Sequence, residues 1–62
     1  MNITIDQLEY DKEVIVNKKQ YLAAMSDCAG LVAGREENGI YYIKVWLTKY
    51  KKYILSVLTH NN

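Results

Sequence analysis

Four residues near the middle of the 62-residue chain combine aromatic rings with positive charge: Arg35, Tyr42, Lys44 and Trp46. This combination suits macromolecular recognition, because aromatic rings stack on nucleobases while basic groups hold phosphates. Trp, Tyr and Arg are also enriched at the centres of protein interfaces. We therefore predict that these four residues bind a partner. The competing interpretation places Tyr42 and Trp46 in the core, because a strand register shifted by one residue would exchange the two faces of a sheet.

A second basic and aromatic group follows directly in the sequence and contains Lys49, Tyr50, Lys51 and Lys52. These side chains could contact the phosphate backbone of a nucleic acid. One short basic run is a weak motif, however, and such runs are often the solvated start of a helix whose tyrosines face the core. Nucleic-acid binding is therefore the alternative function, and these four residues are its candidate site.

Residues suited to catalysis or metal binding are scarce in this sequence. Its only cysteine is Cys28, so an intrachain disulfide and an all-cysteine zinc cluster are excluded. Its only histidine is His60, so few residues are present that could form a catalytic Cys–His pair. No glycine-rich phosphate loop and no calcium-loop pattern occurs, and we interpret the acids as solvated turn and edge residues. A chain this short also barely encloses a substrate pocket. We expect a protein that is not an enzyme and uses no cofactor and no metal.

Charge is unevenly distributed along the chain, although its formal net charge is only +1. Residues 1–39 contain seven acids and four bases, whereas residues 40–62 contain four lysines and no acid. Such a division could steer a charged partner or join two copies end to end. Ordinary surface charge that happens to sort in this way explains it equally well.

A β-hairpin must position the first group of recognition residues, because Asn38-Gly39 is the strongest local signal in the chain. Both residue types tolerate the positive φ angles of a type I′ turn. A two-residue loop here places Arg35 opposite Tyr42, and it leaves the recognition residues on the face turned away from a packed helix. The opposite face is more apolar and is predicted to pack on the helix through Val32, Tyr41, Ile43, Val45 and Leu47.

Two strands and a helix are predicted before the hairpin. Residues 3–6 alternate apolar and polar types, and residues 13–16 include a β-branched run. Asn17 and Gln20 have the spacing of a capping box, which starts a helix over residues 18–29. Helical spacing then predicts one apolar stripe on this helix, consisting of Tyr21, Leu22, Met25, Cys28 and Ala29.

The last segment, residues 48–60, suits either a helix or a strand. Three lysines crowd its first turns, where the helix dipole prefers acids, and residues 53–57 would also suit a strand. We favour an amphipathic helix, because five apolar or aromatic residues recur at helical spacing: Tyr50, Tyr53, Ile54, Val57 and Leu58. The predicted fold class is α+β, a small antiparallel sheet with one or two helices in the order β-β-α-β-β-α. The alternative order is β-β-α-β-β-β.

A single domain of 62 residues buries only about 60% of the surface of its unfolded chain, so its stability is marginal. Association is a common remedy for a small core, and we expect a homodimer.

These features together predict a small intracellular interaction protein that binds a macromolecular partner and inhibits or modulates it, with a protein favoured over nucleic acid. Asn, Lys, Ile and Tyr supply 24 of the 62 residues, and their AT-rich codons suggest a regulator from a phage or mobile element. The sequence shows no signal-peptide pattern and no apolar stretch near the roughly 20 residues that span a bilayer. With the single thiol, this favours the cytoplasm, or the host-cell cytoplasm for a viral protein, and no membrane partner.

Overall fold

The computed structural model describes residues 8–62, and in this part of the chain a three-stranded antiparallel sheet packs against two helices. The α+β class is confirmed. The predicted strand over residues 3–6 lies outside the described residues, and the alternative with a strand at the end of the chain is wrong. The elements are β1 (Glu13–Val16), α1 (Lys18–Asp27), β2 (Val32–Glu37), β3 (Ile40–Val45), a 3-10 turn (Thr48–Tyr50) and α2 (Lys51–His60).

The hairpin between β2 and β3 turns at Asn38-Gly39, as predicted. Both residues have positive φ, 55° and 82° respectively, which is the geometry of a type I′ turn. The Gly39 N–H donates to Glu36 Oε2 at 2.7 Å and braces the loop. Because a two-residue loop sets the pairing of all following residues, Arg35 lies opposite Tyr42 and the predicted register is confirmed.

The sheet has the strand order β1-β3-β2, so β3 is central. One face packs on the helices and contributes Val32, Ile43 and Val45 to the buried core. Leu47 was predicted on the same face but is exposed, because the chain leaves the strand after Val45 and alternation no longer applies. The prediction for Leu47 is therefore wrong.

Helix α1 begins with the predicted capping box. Asn17 Oδ1 accepts from the Gln20 N–H at 2.7 Å, and Gln20 Oε1 accepts from the Asn17 N–H at 3.0 Å. The buried residues of the helix proper are Gln20 and Ala24, and Cys28 follows as the buried C-cap residue. The predicted stripe is thus partly wrong: it missed Gln20, which is 2% exposed.

Two members of the predicted α1 stripe face solvent. Leu22 is 55% exposed and Ala29 lies beyond the end of the helix. The buried face is rotated toward Ala24, and Tyr21 and Met25 lie at its border over β2. These two side chains pack tightly against Gly34 of β2, since a Cβ atom added there would lie 2.6 Å from Met25 Sδ.

Helix α2 confirms the helical interpretation of the last segment, and it runs antiparallel to α1. Near the start of α1, the Gln20 side chain donates to Leu58 O close to the end of α2. At the opposite end, the Tyr53 hydroxyl donates to Asp27 O. Ile54 and Leu58 are buried as predicted, but Tyr53 is exposed and only its hydroxyl reaches α1, at the carbonyl of Asp27.

Candidate functional site

The sheet face turned away from the helices, here called the open face, carries all four predicted partner-binding residues. The confirmed register places Arg35 beside Tyr42, with Lys44 on the same side of β3. Trp46 lies just beyond the end of β3, and its ring centroid is 5.6 Å from Lys44 Nζ. Large apolar side chains are also exposed in this region: Ile15 at 49%, Ile40 at 42% and Trp46 at 40%. The structure therefore brings the predicted residues together within a larger apolar surface.

Arg35 is held in one position at the centre of the open face. Its guanidinium donates to both carboxylate oxygens of Glu13, the Nη2–Oε1 bond being 2.9 Å, and also to Glu37. It lies over the Tyr42 ring, 4.1 Å from the centroid. The hydrogen bond from Arg35 is the main reason that the pKa of Glu13 lies below its usual value, and the same bonds raise the pKa of Arg35.

The end of the open face near Trp46 contains two residues that the sequence analysis did not place in the site. Tyr10 pairs with Val45 in an isolated bridge, and its ring contacts the Trp46 ring edge to face with centroids 6.0 Å apart. Asp11 follows Tyr10 and lies 3.6 Å from Lys44 Nζ. No spacing signal in the sequence connects Tyr10 or Asp11 to Trp46.

Both positive charges of the open face are paired with carboxylates. Arg35 bonds to Glu13 and Glu37, and Lys44 pairs with Asp11. Three acids therefore surround two bases on this surface, and Arg35 is bonded to two of the three.

The second basic group lies elsewhere, at the start of α2. Lys49, Lys51 and Lys52 are exposed, and within residues 8–62 none of the three forms an ion pair. Lys49 Nζ lies 5.4 Å from the centroid of the exposed Tyr50 ring. The predicted inward packing of Tyr50 is wrong, because the 3-10 turn precedes α2 and turns this ring outward.

The remaining reactive groups are either buried or isolated. Burial, and to a smaller extent Asp27, raises the pKa of the Cys28 thiol, which is fully buried. His60 lies in a shallow groove of about 490 Å³ whose described lining comes entirely from α2. Among residues 8–62 no three His, Cys, Asp or Glu side chains are grouped as a metal site would need.

Comparison with known protein families, curated proteins and solved structures found no match to this chain. Neither helix within residues 8–62 has the length and apolar composition needed to cross a membrane.

Proposed function

We propose that the chain is a small protein-binding module that acts through the open face and inhibits or modulates the protein it binds. The position of the aromatic residues is the observation that carries this proposal. Among residues 8–62 the buried apolar core consists of aliphatic side chains and Cys28; Tyr21 and Tyr41 pack against its border, whereas Tyr42 and Trp46 lie on the open face. Aromatic residues usually dominate both cores and interfaces, so their placement outside the core supports an interface.

Arg35 and Tyr42 support the same proposal through their fixed geometry. Two carboxylates hold the guanidinium over the Tyr42 ring before any partner arrives. A side chain that is already ordered loses less conformational entropy on binding. Arg, Tyr and Trp are the residue types that most often provide the largest share of binding energy in an interface.

The partner and its setting are part of the proposal. A regulator from a phage or mobile element, acting in the cytoplasm or host-cell cytoplasm, fits the AT-rich composition and the single thiol. A homodimer remains our expectation, since association would add buried surface to a core of this size.

The test compares Trp46→Ala with Leu22→Ala in affinity capture from source cells. Both wild-type side chains are exposed, but Leu22 lies on the outer side of α1, away from the open face. Trp46→Ala should lose about 2 kcal/mol of binding, about 30-fold in affinity, which is the effect of an interface hot spot. Leu22→Ala should bind as the wild type does.

Measurements of folding and oligomeric state complete this test. Circular dichroism of both variants should match the wild type, because neither side chain belongs to the buried core. A folded Trp46→Ala protein that captures the same partner with unchanged affinity would refute the proposal. Sedimentation in which only Trp46→Ala dissociates a dimer would identify the partner as a second copy.

Nucleic-acid binding through Lys49, Tyr50, Lys51 and Lys52 is the second candidate function. The absence of acidic partners for these lysines within residues 8–62 favours it. Binding to duplex DNA should then weaken with salt, and Lys51→Ala should reduce the slope of log K against log salt by about 0.9 if Lys51 neutralises one phosphate. Affinity that is independent of salt would exclude this function.

A further inference from the structure

Three side chains near the end of β3 form a small site at the border of the open face: Tyr10, Asp11 and Trp46, here called the aromatic corner. The planes of the two rings are inclined at 69°. The backbone of Asp11 is fixed at the end of β3, because the Asp11 N–H donates to Val45 O at 3.0 Å. Its φ of 61° lies in the left-handed region, which aspartate tolerates better than most residues.

The chain's own Lys44 occupies the aromatic corner. Its Nζ lies 5.6 Å from the centroid of the Trp46 ring and 3.6 Å from Asp11 Oδ1. An aromatic face within about 6 Å of a cation attracts it electrostatically, and a carboxylate adds a charge of opposite sign. The corner therefore has the composition that recognises an ammonium group.

Lys44 is weakly held there and has another carboxylate within its reach. The Lys44 side chain is 32% exposed and that of Asp11 is 54% exposed, and ion pairs open to solvent contribute little to stability. Glu13 is the direct neighbour of Lys44 in the register of β1 and β3. The pKa of Glu13 is lowered mainly by the hydrogen bond from Arg35, and the charge of Lys44 is the smallest cause.

We propose that the aromatic corner is a binding site for an ammonium group, in which a lysine side chain of the protein partner replaces Lys44. This inference rests on the proposed function and specifies the chemistry of the partner, which presents a lysine within an apolar surface. The net charge of this surface suits a positively charged ligand, because the carboxylates of the open face and the corner outnumber the bases by three to two.

Tryptophan fluorescence reports on the aromatic corner directly, because Trp46 is the only tryptophan in the chain. Its fluorescence is titrated with tetramethylammonium chloride, and sodium chloride at equal ionic strength is the reference. The wild type should show a saturable change. In Lys44→Met the half-saturating concentration should fall by about twofold to fivefold, because the internal competitor is removed. In Asp11→Asn the half-saturating concentration should rise, because the carboxylate charge is lost while asparagine still tolerates the left-handed backbone conformation.

Lys12→Met is the matched control, since Lys12 is also an exposed lysine in an ion pair, with Glu9 at 3.3 Å. It should titrate as the wild type does. Equal half-saturation in Lys44→Met and wild type would overturn the replacement of Lys44. A change that is linear, or equal in sodium chloride, would overturn the ammonium site itself. Neither result alters the loss of partner binding expected of Trp46→Ala, so the two proposals fail separately.

Discussion

Replacing Gln20 by methionine should destabilise the fold, although methionine has a similar length and is less polar. Gln20 is buried and uses both ends of its amide. Its Oε1 accepts from the Asn17 N–H at 3.0 Å, and its Nε2 donates to Leu58 O at 2.8 Å. One side chain thereby caps the start of α1 and fastens it to the end of α2.

The expected loss is about 2 kcal/mol, because each of the two hydrogen bonds contributes about 1 kcal/mol. Leu58 O keeps a second donor, the Asn61 N–H at 3.2 Å, whereas the Asn17 N–H loses its side-chain acceptor. For a domain of this size the loss corresponds to a fall in Tm of about 8–16 °C. The chain should still fold, since the apolar core is unchanged.

Urea unfolding followed by circular dichroism measures the effect, with Asn17→Ala as the control. That variant loses the bond from the Gln20 N–H to Asn17 Oδ1 but keeps the bond to Leu58, and it should lose about 1 kcal/mol. The difference between the two variants estimates the contribution of the link between the helices. A Gln20→Met protein within about 0.5 kcal/mol of wild type would refute the reasoning.

Two further perturbations test the hairpin and the open face. Gly39→Val should destabilise the protein by more than about 1 kcal/mol in urea unfolding, because a β-branched residue is strained at a φ of 82°; an unchanged transition would contradict the turn. Since the pKa of Glu13 is lowered from its ordinary 4.5 by Arg35, its stabilising effect is present above that value and is lost as pH falls through the lowered one. The urea midpoint should therefore drop more between about pH 7 and about pH 3 in wild type than in Glu13→Gln, and equal drops would show that the pair contributes nothing.

The hairpin and the grouping of the four candidate partner-binding residues could be predicted because they depend on local geometry. Asn38 and Gly39 define a two-residue loop, and alternation along the strands then assigns each following side chain to a face. The capping box at the start of α1 is equally local, since Asn17 and Gln20 are separated by three positions.

The contacts between distant segments could not be predicted in this way. Periodicity assigns apolar residues to the interior, but Leu22 is exposed and the polar Gln20 is buried. The burial of Gln20 is acceptable only because α2 supplies the carbonyl of Leu58, which lies 38 positions away in the sequence. Tyr10 joins the site for a similar reason, through a bridge to Val45 that no local pattern encodes.

Among residues 8–62 the helices pack on one face of the sheet and leave the other face free of helices. Tyr21 and Met25 of α1 lie so close to Gly34 that a Cβ atom added there would clash with both side chains. Within residues 8–62 the buried apolar core consists of aliphatic side chains and Cys28, with Tyr21 and Tyr41 packed against its border. On a sheet face that no helix covers, charged residues are expected, because they suit exposed positions better than apolar ones do. Trp46 and Ile40 are exposed there instead, beside an arginine whose charge is paired, and that departure is the physical basis of our proposal that the face binds a protein.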